Sequence, residues 1–77
     1  MRFMDNVGNR YQADTKVGLV YELYKRSWNK VHCIDIDDWL SKCATRIWEQ
    51  YDIAIEYRSY DDFVDELITY KLIKEIN

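Results

Sequence analysis

The stretch WNKVHCIDIDDW, Trp28 to Trp39, gathers the only histidine of the chain, one of its two cysteines and three aspartates into twelve positions. These residue types ligate metals and carry acid–base and nucleophilic chemistry, but the spacing argues against each use. A structural zinc site needs four N/S ligands, usually in paired spacings such as Cys-x-x-Cys, whereas His32 and Cys33 are adjacent. Adjacent side chains on extended backbone point to opposite faces and chelate one ion poorly. A Cys33 nucleophile with His32 as its base meets the same obstacle, since base and nucleophile must lie about 2.6–3.2 Å apart with a third group orienting the base. Asp35 and Asp37 would place two carboxylates on a magnesium ion, but such sites are usually completed by a substrate phosphate, and the sequence has no phosphate-binding loop. The expectation is no catalytic residue, no metal and no cofactor. Asp35 or Asp37 instead caps the helix that follows, and all three aspartates oppose the positive end of its dipole.

The elements around this stretch are short. Arg2–Asp5 and Arg10–Ala13 alternate in polarity around NVGN, whose Asn and Gly tolerate the positive φ of a tight turn, which predicts a hairpin. Asp14 or Thr15 caps a first helix carrying Val17, Val20, Tyr21, Tyr24 and Trp28 at helical spacing. A second helix starts near Asp35–Asp37. Its stripe is Ile36, Leu40, Cys43, Ala44, Ile47 and Tyr51, with Trp39 and Trp48 half-exposed on the two shoulders. In DIAIEYR, Ile53, Ile55 and Tyr57 alternate with Ala54, Glu56 and Arg58, the pattern of a strand with one wet face. Ser59 caps a third helix, with Asp62 as the acidic member of a capping box. Phe63, Val64, Leu67 and Ile68 form its inner face, and the tail YKLIKEIN either extends it or forms a last strand.

The predicted order is ββααβα with a possible last strand. This is a single α+β domain over residues 1–77, a small, mainly antiparallel sheet with helices on one face. The other sheet face is expected to show Arg2, Arg10, Gln12, Glu56 and Arg58 to solvent. At this length the core is thin, and three Trp, seven Tyr and two Phe compensate. A deep pocket of about 300–1,000 Å³ finds little room, which also speaks against an enzyme. No run of 18 apolar residues is present and the N-terminus lacks the order of a signal peptide, so a cytoplasmic protein with reduced Cys33 and Cys43 and no membrane partner is expected.

Charge is unevenly divided. Residues 1–30 carry six Lys/Arg against three Asp/Glu, and residues 31–77 carry five against eleven. The acidic half includes Asp61, Asp62, Asp65 and Glu66 on the outer face of the third helix. With Trp39 and Trp48, the type of residue that anchors interfaces, they form the expected partner-binding set. The basic end YKRSWNK interleaves Lys25, Arg26 and Lys30 with Trp28, an arrangement that holds phosphates and stacks bases. Three cations make a small footprint, and Lys and Arg also suit the negative end of a helix dipole, so direct nucleic-acid binding is the alternative.

Phe3-x-Asp5-x-x-Gly8-x-x-Tyr11-x-Ala13-Asp14-Thr15, the Ser27-Trp28 helix end and SYDDFVDELITYKLI together resemble small proteins carried by phages, plasmids and conjugative elements. The resemblance implies no catalytic residues. It implies a mobile-element accessory protein that binds a host protein or nucleoprotein complex. Inhibitors of CRISPR effectors are one such group, associated by size and style because they share no motif. The expected function is a non-enzymatic protein-binding module, a monomer or small homo-oligomer, that inhibits a host defence complex by occupying a functional surface. A small nucleic-acid-associated regulator is the alternative.

Overall fold

The computed structural model describes residues 1–76, with Trp28 and Asn29 described by their backbone alone. Strands β1 (Arg2–Asp5) and β2 (Arg10–Gln12) form the expected hairpin. Gly8 supplies the positive φ of the turn, at 93°. Asp5 locks it: its carboxylate accepts from the Val7 and Asn9 amides at 3.0 and 2.8 Å, from Asn9 Nδ2 and from the Tyr11 hydroxyl. Partial burial opposes its charge, but the bonds from Asn9, Tyr11 and Val7 outweigh this and hold its carboxyl below the usual value. The Phe3, Asp5, Gly8 and Tyr11 pattern is thus a hairpin-building pattern. Removing the acceptor in Asp5→Ala should cost about 1–2 kcal/mol at pH 7. A depressed carboxyl stabilises above its unfolded value and loses that contribution as pH falls through the folded one. The gap between the melting temperatures of wild type and Asp5→Ala should therefore shrink from pH 7 towards pH 3.

Helix α1 (Lys16–Arg26) is capped by Thr15, whose hydroxyl accepts from the Gly18 amide. A 3₁₀ turn (Trp28–His32) leads to α2 (Ile36–Tyr51). At its start Asp35 accepts from the Asp38 amide at 2.9 Å, and Asp38 accepts in return from the Ile34 amide at 3.0 Å. In α3 (Tyr60–Thr69), Ser59 accepts from the Asp62 amide as expected, and Asp62 accepts in return from the Arg58 amide, one residue before the N-cap amide that a capping box uses. Left-handed Lys71 ends α3: its amide and that of Leu72 donate to Ile68 and Leu67, a Schellman motif. The chain then leaves as β3 (Ile73–Ile76), so the last strand forms.

The sheet order is β2-β1-β3, antiparallel throughout, with Phe3 opposite Tyr11 and Asp5 opposite Ile73. The fold is α+β, with α1 and α3 packed together over the sheet. Phe3 and Ile73 from the sheet, Leu19 and Val20 from α1, Trp39 and Leu40 from α2, and Phe63, Val64 and Leu67 from α3 make the core. Edge-to-face pairs join the helices: Tyr24 with Trp39 and Tyr21 with Tyr60, at 5.5 and 5.8 Å between ring centres.

Two expectations are corrected. Residues 52–57 belong to no strand. β1 has only two edges, and the end of α3 delivers β3 to the one that β2 leaves open, pinned by the bond from the Asn6 amide to the Leu72 carbonyl. Glu56 and Arg58 are therefore absent from the outer sheet face, where Lys74 joins Arg2, Arg10 and Gln12. Trp39 is not a half-exposed shoulder but a core residue, 4 % exposed. Its indole N–H has no hydrogen-bond partner among the described residues.

Candidate functional site

The aspartates of the opening stretch are engaged locally. Asp35 caps α2, Asp38 closes the reciprocal cap and pairs with Lys42 at 3.1 Å, and Asp37 accepts from the Tyr60 hydroxyl at 3.0 Å. Dehydration and then this bond to Asp37 push the Tyr60 phenol up to about 12. Lys42 also donates to the His32 carbonyl. Burial pushes the Cys43 thiol up to about 11, so at neutral pH it is not a thiolate. Among the described residues no three His, Cys, Asp or Glu side chains gather as a metal site. Purified protein should accordingly carry no stoichiometric metal, and EDTA should leave its melting temperature unchanged. One equivalent of tightly held zinc by elemental analysis would overturn this.

The acidic face of α3 is more occupied than its pattern implies. Asp65 pairs with Lys16, Asp62 accepts from the Arg58 amide at 3.2 Å, and Glu66 accepts from the Glu56 amide at 3.3 Å. Asp65 ties α3 to α1, while Asp62 and Glu66 peg the segment after α2 against α3. The open cleft between them, about 440 Å³, is lined by Glu56, Tyr57, Arg58, Asp62, Asp65 and Glu66. Asp61 stays exposed on the same helix.

The basic end is likewise engaged within the chain, although Lys25 and Arg26 stay exposed. Arg26 donates to the Arg10 carbonyl at 2.6 Å and lies over the Tyr11 ring at 4.4 Å, Lys30 donates to the Lys25 carbonyl, and Lys25 lies 3.7 Å from Glu22. The Trp28 side chain lies outside the described residues. A cleaner basic surface is the outer sheet face, where Arg2, Arg10 and Lys74 are exposed and no carboxylate shares the face. A cleft of about 590 Å³ crosses it, lined by Arg2, Met4, Arg10, Tyr11, Gln12 and Ile76.

Along α2 the apolar stripe outruns the core. At 16 residues the helix is about 24 Å long. Its buried residues, Trp39 and Leu40, sit in its first half. Beyond them the apolar stripe continues but its cover runs out: Cys43, Ala44 and Ile47 are half-buried, Trp48 is 54 % exposed and Tyr51 45 % exposed. The hairpin turn meets this end, since Asn6 Nδ2 donates to the Tyr51 hydroxyl at 3.1 Å. Val7 on the same turn is 76 % exposed. Between turn, α1 and α2 runs a groove of about 530 Å³. Leu23, Trp39, Cys43, Ile47, Phe63 and Leu67 form its apolar wall, and Asn9, Tyr11, Arg26 and Arg46 its polar one. Of the expected set, Trp48 stands at this end of α2 and the four acids stand on α3. Val7, Ile47 and Tyr51 were not singled out, because Ile47 and Tyr51 read as inner-stripe residues.

No protein-family model, curated protein or solved structure matches this chain. No helix among the described residues is long and apolar enough to cross a membrane.

Proposed function

We propose that this is a non-enzymatic protein-binding module whose contact surface is the second half of α2 with the hairpin turn beside it. The observation that carries the reading is the continuation of the α2 stripe beyond the core, leaving Ile47, Trp48 and Tyr51 incompletely covered next to Val7. Tryptophan and tyrosine are enriched among the residues that dominate binding energy. The groove beside them has an apolar wall of Leu23, Trp39, Cys43, Ile47, Phe63 and Leu67, suited to an apolar side chain.

The finer reading is a cytoplasmic accessory protein of a mobile element that inhibits a host defence complex, such as a CRISPR effector, by covering a functional surface. Small size, acidic character and the resemblance given above support it. The acidic α3 face would then serve as a steering surface towards a basic groove, acting mainly on association rate. The test is affinity capture from a native host lysate with wild type and Trp48→Ala side by side. A partner held by wild type and lost with Trp48→Ala supports the reading. A partner held equally by both sinks it.

A second reading, a nucleic-acid-associated regulator, is favoured by the outer sheet face with its three cations and no carboxylate. It requires salt-sensitive retention on DNA or RNA that is lost in Arg2→Glu with Lys74→Glu.

A further inference from the structure

Residues 53–57 have the side-chain pattern of a strand and no strand partner. Ile53, Ile55 and Tyr57 are half-buried while Ala54, Glu56 and Arg58 are exposed. One edge of the segment is held. The Glu56 and Arg58 amides point to α3, where Glu66 and Asp62 accept them. In a strand, backbone groups of alternate residues face the same side and those between face the other. The other edge therefore belongs to Ile53, Ile55 and Tyr57, and their amides and carbonyls make no hydrogen bond to another described residue. Backbone groups shut away from water are almost always paired, so these face solvent and form a template for another strand.

We propose that this edge pairs with the same edge of a second copy of the chain, antiparallel, about a two-fold axis centred on Ile55. The sequence is self-complementary in that register. Ile53 faces Tyr57 of the other copy and Ala54 faces Glu56, while Asp52, the left-handed cap of α2, and Arg58, at the bend before α3, lie just outside the ladder, so opposite charges flank it at both ends. Ile53, Ile55 and Tyr57 become the hydrogen-bonded positions, which are the positions whose groups are free. The neighbouring symmetric registers leave free groups unpaired: centring on Ala54 leaves Tyr57 without a hydrogen-bonded partner, and centring on Glu56 leaves Ile53 without one and sets Glu56 against itself. The competing edges are poorer templates. β2 is three residues long, with the Arg10 carbonyl taken by Arg26, and β3 carries Lys74 and Glu75. This inference is independent of the α2 contact surface.

A five-residue pairing buries less than the roughly 1,000 Å² of a stable interface, so the dimer is weak and forms between tens of micromolar and about 1 mM. The test is sedimentation across that range together with residue-resolved amide exchange of the wild-type chain. The expected result is a monomer–dimer equilibrium in which the Ile53, Ile55 and Tyr57 amides become protected as concentration rises while the Ala54 amide does not change. Arg58→Asp and Asp52→Lys should each weaken self-association at least about tenfold, because each brings like charges together at both ends of the ladder, and an equimolar mixture of the two should restore it as a heterodimer. Circular dichroism checks that both variants fold. If either does not, the wild-type exchange pattern decides alone. A monomer at every concentration, protection confined to β2, β3 or the Trp48 end, or a dimer indifferent to both charge changes overturns the proposal.

Discussion

Phe63→Ala is expected to remove a large share of the free energy that holds the fold together. Phe63 is 2 % exposed and stands where α3, the sheet and the segment after α2 converge. Its ring meets Tyr57 edge to face at 5.2 Å between centres. Truncation of a buried phenylalanine costs about 3–5 kcal/mol, part of it from the cavity left behind. Domains hold about 0.05–0.15 kcal/mol per residue, which for 77 residues is about 4–12 kcal/mol in all. One core side chain is thus a large fraction of the whole. Leu67→Ala, also buried, should cost about 2–5 kcal/mol. Ile47→Ala should cost less, below about 2 kcal/mol, because that side chain is only half-buried. Chemical denaturation followed by circular dichroism separates the three. Equal losses for Ile47 and Leu67 would mean that α2 is covered along its whole length.

Trp48→Ala is expected to weaken partner binding at least about 30-fold, the counterpart of a hot-spot loss near 2 kcal/mol, while the melting temperature moves little. A ring already half in water contributes little to the fold. On binding, the remaining area is desolvated against the partner, and that gain is what truncation removes. The measurement is a binding curve against the captured partner, paired with a thermal melt. Loss of binding together with unfolding would reassign Trp48 to the core. Unchanged binding would move the contact to the α3 acids, where Asp61→Lys is the cleanest probe, since Asp62, Asp65 and Glu66 also hold intramolecular bonds.

The acids illustrate how function and fold compete for the same residues. An outward row of Asp61, Asp62, Asp65 and Glu66 reads as a charged surface. In the tertiary structure Asp62 and Glu66 supply the acceptors that a neighbouring strand would otherwise have supplied to residues 56 and 58. Charge reversal at Asp62 therefore perturbs the cap of α3 as well as any partner surface.

Local features were legible because their causes are local. Asp35, Ser59 and Gly8 act on backbone within three or four residues, so residue type and spacing were enough to place two helix starts and a turn. The inner face of α3 and the alternation of residues 53–57 were legible for the same reason, since periodicity is a property of the segment itself. Whether that alternation becomes a paired strand is not. Hydrogen bonding needs a second backbone, and the Schellman end of α3 gave the open edge of β1 to Ile73–Ile76 instead. Nor could the sequence separate Trp39 from Trp48. Both flank one stripe, yet one is in the core and the other half in water, because burial depends on how far along α2 its neighbours reach, and that length is decided only when the helices and the sheet pack.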